Sequence, residues 1–443
     1  MRYATKDWRA TVMAGIILAY VWRFHILAPG MEALRISAIL TLSSWAFLAL
    51  APGWAHLSKA LRIPFVWLYL VLIAWAVVGH LFALEPGVSS QVLKGVHLTN
   101  VLFTLFILST ITTYVRLEVA MAANAFGAAV LAFYYIKGGT PTMWTPVSTY
   151  DRNDLALLFN LSLPIVLWLF VEQKVRWTKL ALGLLAVALG FCVLMSQSRG
   201  GFLGLAAILL YFMVTESSVR LRYRLTPVLA LGLGLALMPA DVKDRLSTLR
   251  SLEDDYNVES ATGRVEIWKR ALKYVDQRPV FGVGIANFPI AESRLSDEAR
   301  QFGGRWKASV AHNSYVEITA ETGIPGGILY LSMVLSLVGW LARWRKRLKR
   351  ARHLGGARLD ALYRLLNSMT ASALGFALGS FVLSTFSLSL LVMLLGLSGG
   401  VIMVASRTLD EARRRPGSRR GNRPRRRPGR RSTSRSPVLL HAP

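Results

Sequence analysis

The chain alternates long apolar runs with short polar breaks along most of its length. Runs near the roughly 20 residues that a helix needs to cross bilayer hydrocarbon begin near Ala10, Leu34, Pro64, Gly95, Glu118, Asp154, Thr178, Gly200, Arg224, Ser314, Leu366 and Phe386. This predicts an all-α, polytopic membrane protein of about 12 transmembrane helices. The runs after Leu34 and from Arg224 to Pro239 are short or interrupted.

One long hydrophilic insert stands out, from Ala240 to Asn313. It holds Glu253-Asp254-Asp255, then a stretch from Gly263 to Val275 with Val265, Trp268, Leu272 and Val275 at helical spacing. Arg278-Pro279 then stops the helix, and the glycine-rich Phe281-Gly282-Val283-Gly284 follows. The pattern predicts one large, mostly helical periplasmic loop whose first helix lays its apolar face on lipid or on the bundle. The organisation is then transmembrane helices over 1–239, the loop subdomain over 240–313, three further spans over 314–406 with a basic loop at 343–364, and a tail over 407–443.

Charge orients the spans, because Lys and Arg accumulate in short cytoplasmic loops. With Arg2, Lys6 and Arg9 inside, the segments at Lys59/Arg62, Arg116, Lys174/Arg176/Lys179, Arg220/Arg222/Arg224 and Arg343 to Arg352 all fall inside as well. The long insert, Glu85 to Lys94, Lys137 to Asp154, the turn at Gln197 to Gly200 and a turn near Ser384 then share the periplasmic side. Met1 to Arg9 offers no signal-peptide cleavage site, so the N-terminus is read as retained, with both termini cytoplasmic and the chain in a bacterial inner membrane.

Composition agrees with this reading: 53% of the 443 residues are hydrophobic. The formal net charge of +28 invites a nucleic-acid partner, but much of it sits in the Arg-rich segment after Glu411, whose Pro and Gly predict disorder. Anionic membrane lipid, and no nucleic acid, is the partner that location favours. A single cysteine, Cys192, rules out an intramolecular disulfide and a thiolate metal site.

Candidate chemistry gathers on the periplasmic side. His312, in Ala311-His312-Asn313-Ser314-Tyr315, stands where the insert returns to the membrane, and an imidazole kept neutral by nearby arginines suits a general base on a hydroxyl. Arg199 tips the Ser-Arg-Gly-Gly turn, Arg264 opens the amphipathic stretch, and Arg152 lies in Tyr150-Asp151-Arg152. Arg245 and Arg305 add charge within the insert. Guanidinium forks bind phosphate oxygens bidentately, so several of them facing one side fit a diphosphate. The carboxylates read differently: Glu253-Asp254-Asp255 as a solvated loop, and Asp151 with Asp154 as a partner of Arg152 or a helix cap. No metal or other cofactor is expected.

His312-Asn313, nine residues and Gly323-x-x-Gly326, with Arg264 in Gly-Arg-Val-Glu-Ile-Trp upstream and the turn at Arg199, resembles the O-antigen ligases. That superfamily also holds O-antigen polymerases and protein O-oligosaccharyltransferases. One departure is Trp268, where the family pattern has leucine four residues after its arginine. Arg245 with Leu249 fits that spacing, at a poorer distance from His312.

The resemblance implies metal-independent, inverting transfer of polysaccharide from undecaprenyl pyrophosphate to a sugar of lipid A-core. In that role His312 is the base, Arg264 and Arg199 grip the diphosphate, and Arg152, Asn313, Tyr315, Arg245 and Arg305 contact substrate. Polymerases of the superfamily often carry two large periplasmic loops, and here one is large, which favours the ligase. A transporter or flippase of lipid-linked sugars is the more distant alternative. It calls for charged or broken helices at mid-membrane, and the candidates for such buried polar positions, His80 and His97, read as interfacial.

Overall fold

The computed structural model describes residues 7–22, 42–43, 46, 54–138, 150–215, 232, 263–297, 299, 309–386 and 389–414. Among them the helices are α1 (Trp8–Trp22), α2 (Trp54–Ala60), α3 (Pro64–Gly79), α4 (Pro86–Val92), α5 (Leu98–Thr110), α6 (Tyr114–Gly138) and α7 (Arg152–Glu172). There follow α8 (Arg176–Met195), α9 (Arg199–Thr215), α10 (Arg264–Gln277), α11 (Phe288–Leu295), α12 (Ser314–Ala351), α13 (Ala357–Gly379) and α14 (Ser389–Arg414). Among the described residues, seven helical stretches are long and apolar enough to cross a membrane, and Trp8–Val21 and Arg199–Thr215 are shorter apolar helices. Each apolar run of the sequence falls on a helix except those beginning near Leu34 and Arg224, most of whose residues lie outside the described ones. So do Arg245, Arg305, Glu253-Asp254-Asp255 and the tail beyond Arg414.

The bundle centres on α7, packed against α8, α9 and α13 and buried along most of its length. There the Trp168 indole donates to the Ala361 carbonyl at 3.0 Å. α12 packs on α3 and α13, and α14 on α5. One side of α12 is left uncovered: Ile324, Ile328, Leu331 and Leu335 are exposed at helical spacing, as lipid-facing positions are.

α12 is interrupted near its start, where Gly323 takes φ 74°. A Cβ there would lie 2.1 Å from the Val280 carbonyl oxygen. The interruption releases backbone groups that the glycine-rich segment takes up, since unpaired peptide groups are costly away from water. Ile324 N–H donates to Pro279 at 2.8 Å, Val283 N–H to Ala320 at 2.9 Å and Gly284 N–H to Glu321 at 2.9 Å. The same segment is stapled to residues 84–89: Leu84 N–H donates to Val283, Ser89 Oγ to Ile285, and Glu85 N–H to the Asn287 side chain. This joins the insert to the Glu85 segment, which the charge pattern places on the same side.

Three details differ from the sequence reading. The buried face of α10 is Ile267, Arg270, Ala271 and Tyr274, while Leu272 of the expected stripe is 64% exposed. The polar member of that face is admitted by pairing: Arg270 meets Glu292 at 2.7 Å with both buried, and Tyr274 donates to Glu292 at 2.8 Å. Arg343 to Arg350 belong to α12 itself, followed by a short turn and α13 from Ala357. His97, read as interfacial, is fully buried within the protein, in a π-helical turn from Leu93 to His97, with its ring 4.9 Å from Phe386.

Candidate functional site

Asn313 caps α12, its side-chain oxygen accepting from Tyr315 N–H at 3.0 Å and Val316 N–H at 3.3 Å. Asparagine at an N-cap satisfies helix donors that would otherwise be orphaned. Just before it, His312 has φ 49°, a left-handed conformation that non-glycine residues seldom adopt. Its neighbour Ala311 is buried and held from two sides. The Trp268 indole of α10 donates to the Ala311 carbonyl at 2.8 Å, and the Ala311 N–H reaches Glu317, which also accepts from Ser384.

A turn between α13 and α14 holds the next residue. Ser314 N–H donates to Ser380 at 2.8 Å, Ser314 Oγ donates to Leu383 at 2.6 Å, and Thr385 N–H donates back to Ser314 Oγ at 2.7 Å. Tyr315 commits its hydroxyl to the Ala377 carbonyl at 3.0 Å and packs its ring 4.5 Å from Phe381. Asn313 and Tyr315, anticipated as substrate contacts, thus each have a structural task here.

The arginines come to the same end of the bundle by different routes. Arg264 is the first residue of α10, four positions before Trp268, so one helix carries both the charge and the bond to Ala311. Arg199 opens α9 after a turn in which Gln197 has φ 54° and Ser198 Oγ accepts from Gly201 N–H at 3.0 Å. The two glycines after it are needed for close approach. A Cβ on Gly200 would lie 2.0 Å from Val382, and one on Gly201 2.6 Å from Ala156. Val382 precedes Leu383, so Arg199 and Ser314 flank one turn. Arg152 opens α7, where Asp151 is the N-cap, accepting Asp154 N–H at 2.7 Å. Asp151 is therefore the helix cap that the sequence offered as one reading.

His312 is half-buried, and its pKa is lowered first by loss of water and then by the Arg264 charge, with the Asp151 carboxylate acting in the opposite sense. Arg264, His312 and Asp151 thus lie within electrostatic reach of one another. The imidazole is kept neutral around pH 7, the state a proton acceptor requires.

Comparison with known proteins now bears on these positions. Residues 184–331 match the family model described as O-antigen ligase. The matched stretch contains Arg199, Arg264, His312, Asn313, Tyr315 and the Gly323 break. The chain is also 25% identical over 275 residues to a protein of Rickettsia felis named "Putative polysaccharide ligase", covering 60% of this chain and 66% of that one. A ligase-type function on membrane helices is what the O-antigen ligase match and this relative support.

Trp268 entered the sequence reading as one member of an apolar stripe and as a departure from the family pattern, yet it is the residue that ties α10 to the histidine segment. Glu317 was passed over altogether. It follows the histidine by five residues, and a carboxylate one turn into an apolar helix was the available signal.

Proposed function

We propose that this chain transfers polysaccharide from undecaprenyl pyrophosphate to a sugar hydroxyl of lipid A-core, at the periplasmic face of a bacterial inner membrane. The observation that carries the reading is the pairing of Arg264 with a half-buried His312 through one helix, α10. In the proposed step, His312 takes the proton of the acceptor hydroxyl as its oxygen attacks the anomeric carbon. The bond from that carbon to the diphosphate oxygen breaks, with inversion, and undecaprenyl pyrophosphate departs. Arg264 and Arg199 neutralise the charge that grows on the leaving diphosphate, with Arg152 nearby; fixed cations in a site poor in water stabilise such charge well. Arg245 and Arg305 complete the proposed set of substrate contacts.

The step needs no metal. Transfer should continue in EDTA; loss in chelator, restored by magnesium or manganese, would overturn the metal-free mechanism. Reconstitution with lipid-linked polysaccharide and three acceptors tests the substrate: lipid A-core, a second lipid-linked repeat, and a periplasmic protein. Product on lipid A-core is the expected result. Product on either other acceptor makes the chain a polymerase or a protein O-oligosaccharyltransferase, and movement of donor across the bilayer without product makes it a transporter.

A further inference from the structure

At the end of α12 remote from His312, Arg343, Lys346, Arg347 and Arg350 line a cavity of about 760 Å³ together with His353 and with Arg413 of α14. Among the described residues no carboxylate lines it. Close by, Asp360 pairs with Arg352 at 2.8 Å and Glu411 with Arg407 at 3.0 Å. Trp340 and Trp344 hold two of the cations in place, Arg343 lying 5.5 Å over the first ring and Arg347 4.7 Å over the second. Arg343, Lys346, Arg347 and Arg350 crowd like charge along one helix end, and a multiply charged anion relieves that repulsion.

Position along the helix identifies the anion's source. From Ile324 to Arg343 the helix rises about 30 Å, the thickness of bilayer hydrocarbon. Trp340 and Trp344 therefore stand at an interface, where tryptophan is favoured. The exposed stripe of Ile324, Ile328, Leu331 and Leu335, continued at helical spacing, reaches Ala342 and then Lys346. An acyl chain lying on that stripe would bring its headgroup into the cavity.

We propose that this cavity binds the headgroup of an anionic membrane phospholipid carrying two phosphates, in the leaflet opposite the transfer site. Free phosphate and diphosphate share the headgroup chemistry but do not use the apolar stripe, so they should bind far more weakly. Diffuse attraction of the basic surface for any anionic lipid differs in being insensitive to which cations are removed.

The test titrates delipidated full-length protein in neutral detergent with diphosphatidylglycerol, phosphatidylcholine or inorganic pyrophosphate. Binding of the first is expected to exceed the other two and to fall about a hundredfold in the triple variant Lys346→Gln/Arg347→Gln/Arg350→Gln. These side chains are exposed, and their replacement should leave the melting temperature unchanged. Lys174→Gln/Arg176→Gln/Lys179→Gln removes the same charge from another basic segment and should bind as the parent does, as should Arg347→Lys/Arg350→Lys. Equal loss in the Lys174 set, retention in the cavity triple, or pyrophosphate binding as tight as the lipid would each overturn the proposal.

Discussion

The indole nitrogen of Trp268 lies 2.8 Å from the carbonyl oxygen of Ala311. That bond fixes where the first turn of α10 stands relative to the residue before His312, and so fixes Arg264 relative to the imidazole. Removing it should loosen the pair without unfolding the bundle. A hydrogen bond of this kind contributes about 1 kcal/mol net, so Trp268→Phe should lower kcat by about fivefold to tenfold with little change in donor KM. Trp268→Leu, which restores the residue of the family pattern, should behave similarly; full activity in the leucine variant would deny the indole bond its positioning role.

Replacement of His312 tests the base directly. His312→Ala should insert normally and still bind the lipid-linked donor, while turnover falls by about 10² to 10⁴, the usual contribution of a positioned base. His312→Asn controls for the left-handed backbone, which asparagine tolerates well, and should be equally inactive. Substantial transfer by either protein removes the histidine from the mechanism.

The pH profile should carry the signature of the neighbouring charges. Since the neutral imidazole is the active form and its pKa is depressed, the acid limb of kcat/KM should fall below the ordinary histidine range, with a plateau at neutral pH. Arg264 helps to depress that pKa, so Arg264→Gln should move the limb to higher pH as well as slowing the reaction. Asp151 acts oppositely, and Asp151→Asn should move the limb lower while keeping a competent helix cap. Profiles that superimpose across the three proteins would place the titrating group elsewhere.

Docking of the insert depends on the break in α12. Gly323→Ala puts a methyl 2.1 Å from the Val280 oxygen and asks alanine to hold φ 74°, a strain of about 1–3 kcal/mol for the backbone alone. The measurable outcome should be a lower melting temperature in detergent and faster proteolysis within the insert.

Inside the insert, Glu292→Ala strands the Arg270 charge in a buried place and should cost about 3–5 kcal/mol. Replacing both partners, as in Arg270→Met/Glu292→Leu, should recover much of that loss. A double variant no more stable than the single one would mean that the ion pair is not what holds α10 to α11.

Where hydrophobic period and terminal chemistry are strong, the sequence is sufficient. The apolar runs locate the helices from Pro64 to Thr215 and from Ser314 onward, because burial or lipid contact rewards every residue of such a run in the same way. Arg278-Pro279 ends α10, and Asp151 proves to be a cap. Apolar spacing alone does not show which residues of α10 are buried within the protein, because it ignores paired polar groups. Arg270 is buried where Glu292, twenty-two residues on, meets it. The burial of His97 was hidden for a related reason: nearness to a helix end says nothing of what packs over it, and Phe386 comes from the far end of the chain.

The sequence by itself determined that the chain is helical with apolar runs of membrane-crossing length, and that its charge divides its polar segments into two sets. Those are properties of local composition and spacing. Only the tertiary structure decided that Trp268 links α10 to the histidine segment, that Asp151 as well as Arg264 acts on the imidazole, and that Gly200 and Gly201 let the Arg199 turn pack between Val382 and Ala156. Each of these joins residues far apart in sequence, and side-chain hydrogen bonds and close contacts of that kind depend on distances in space that no spacing along the chain encodes.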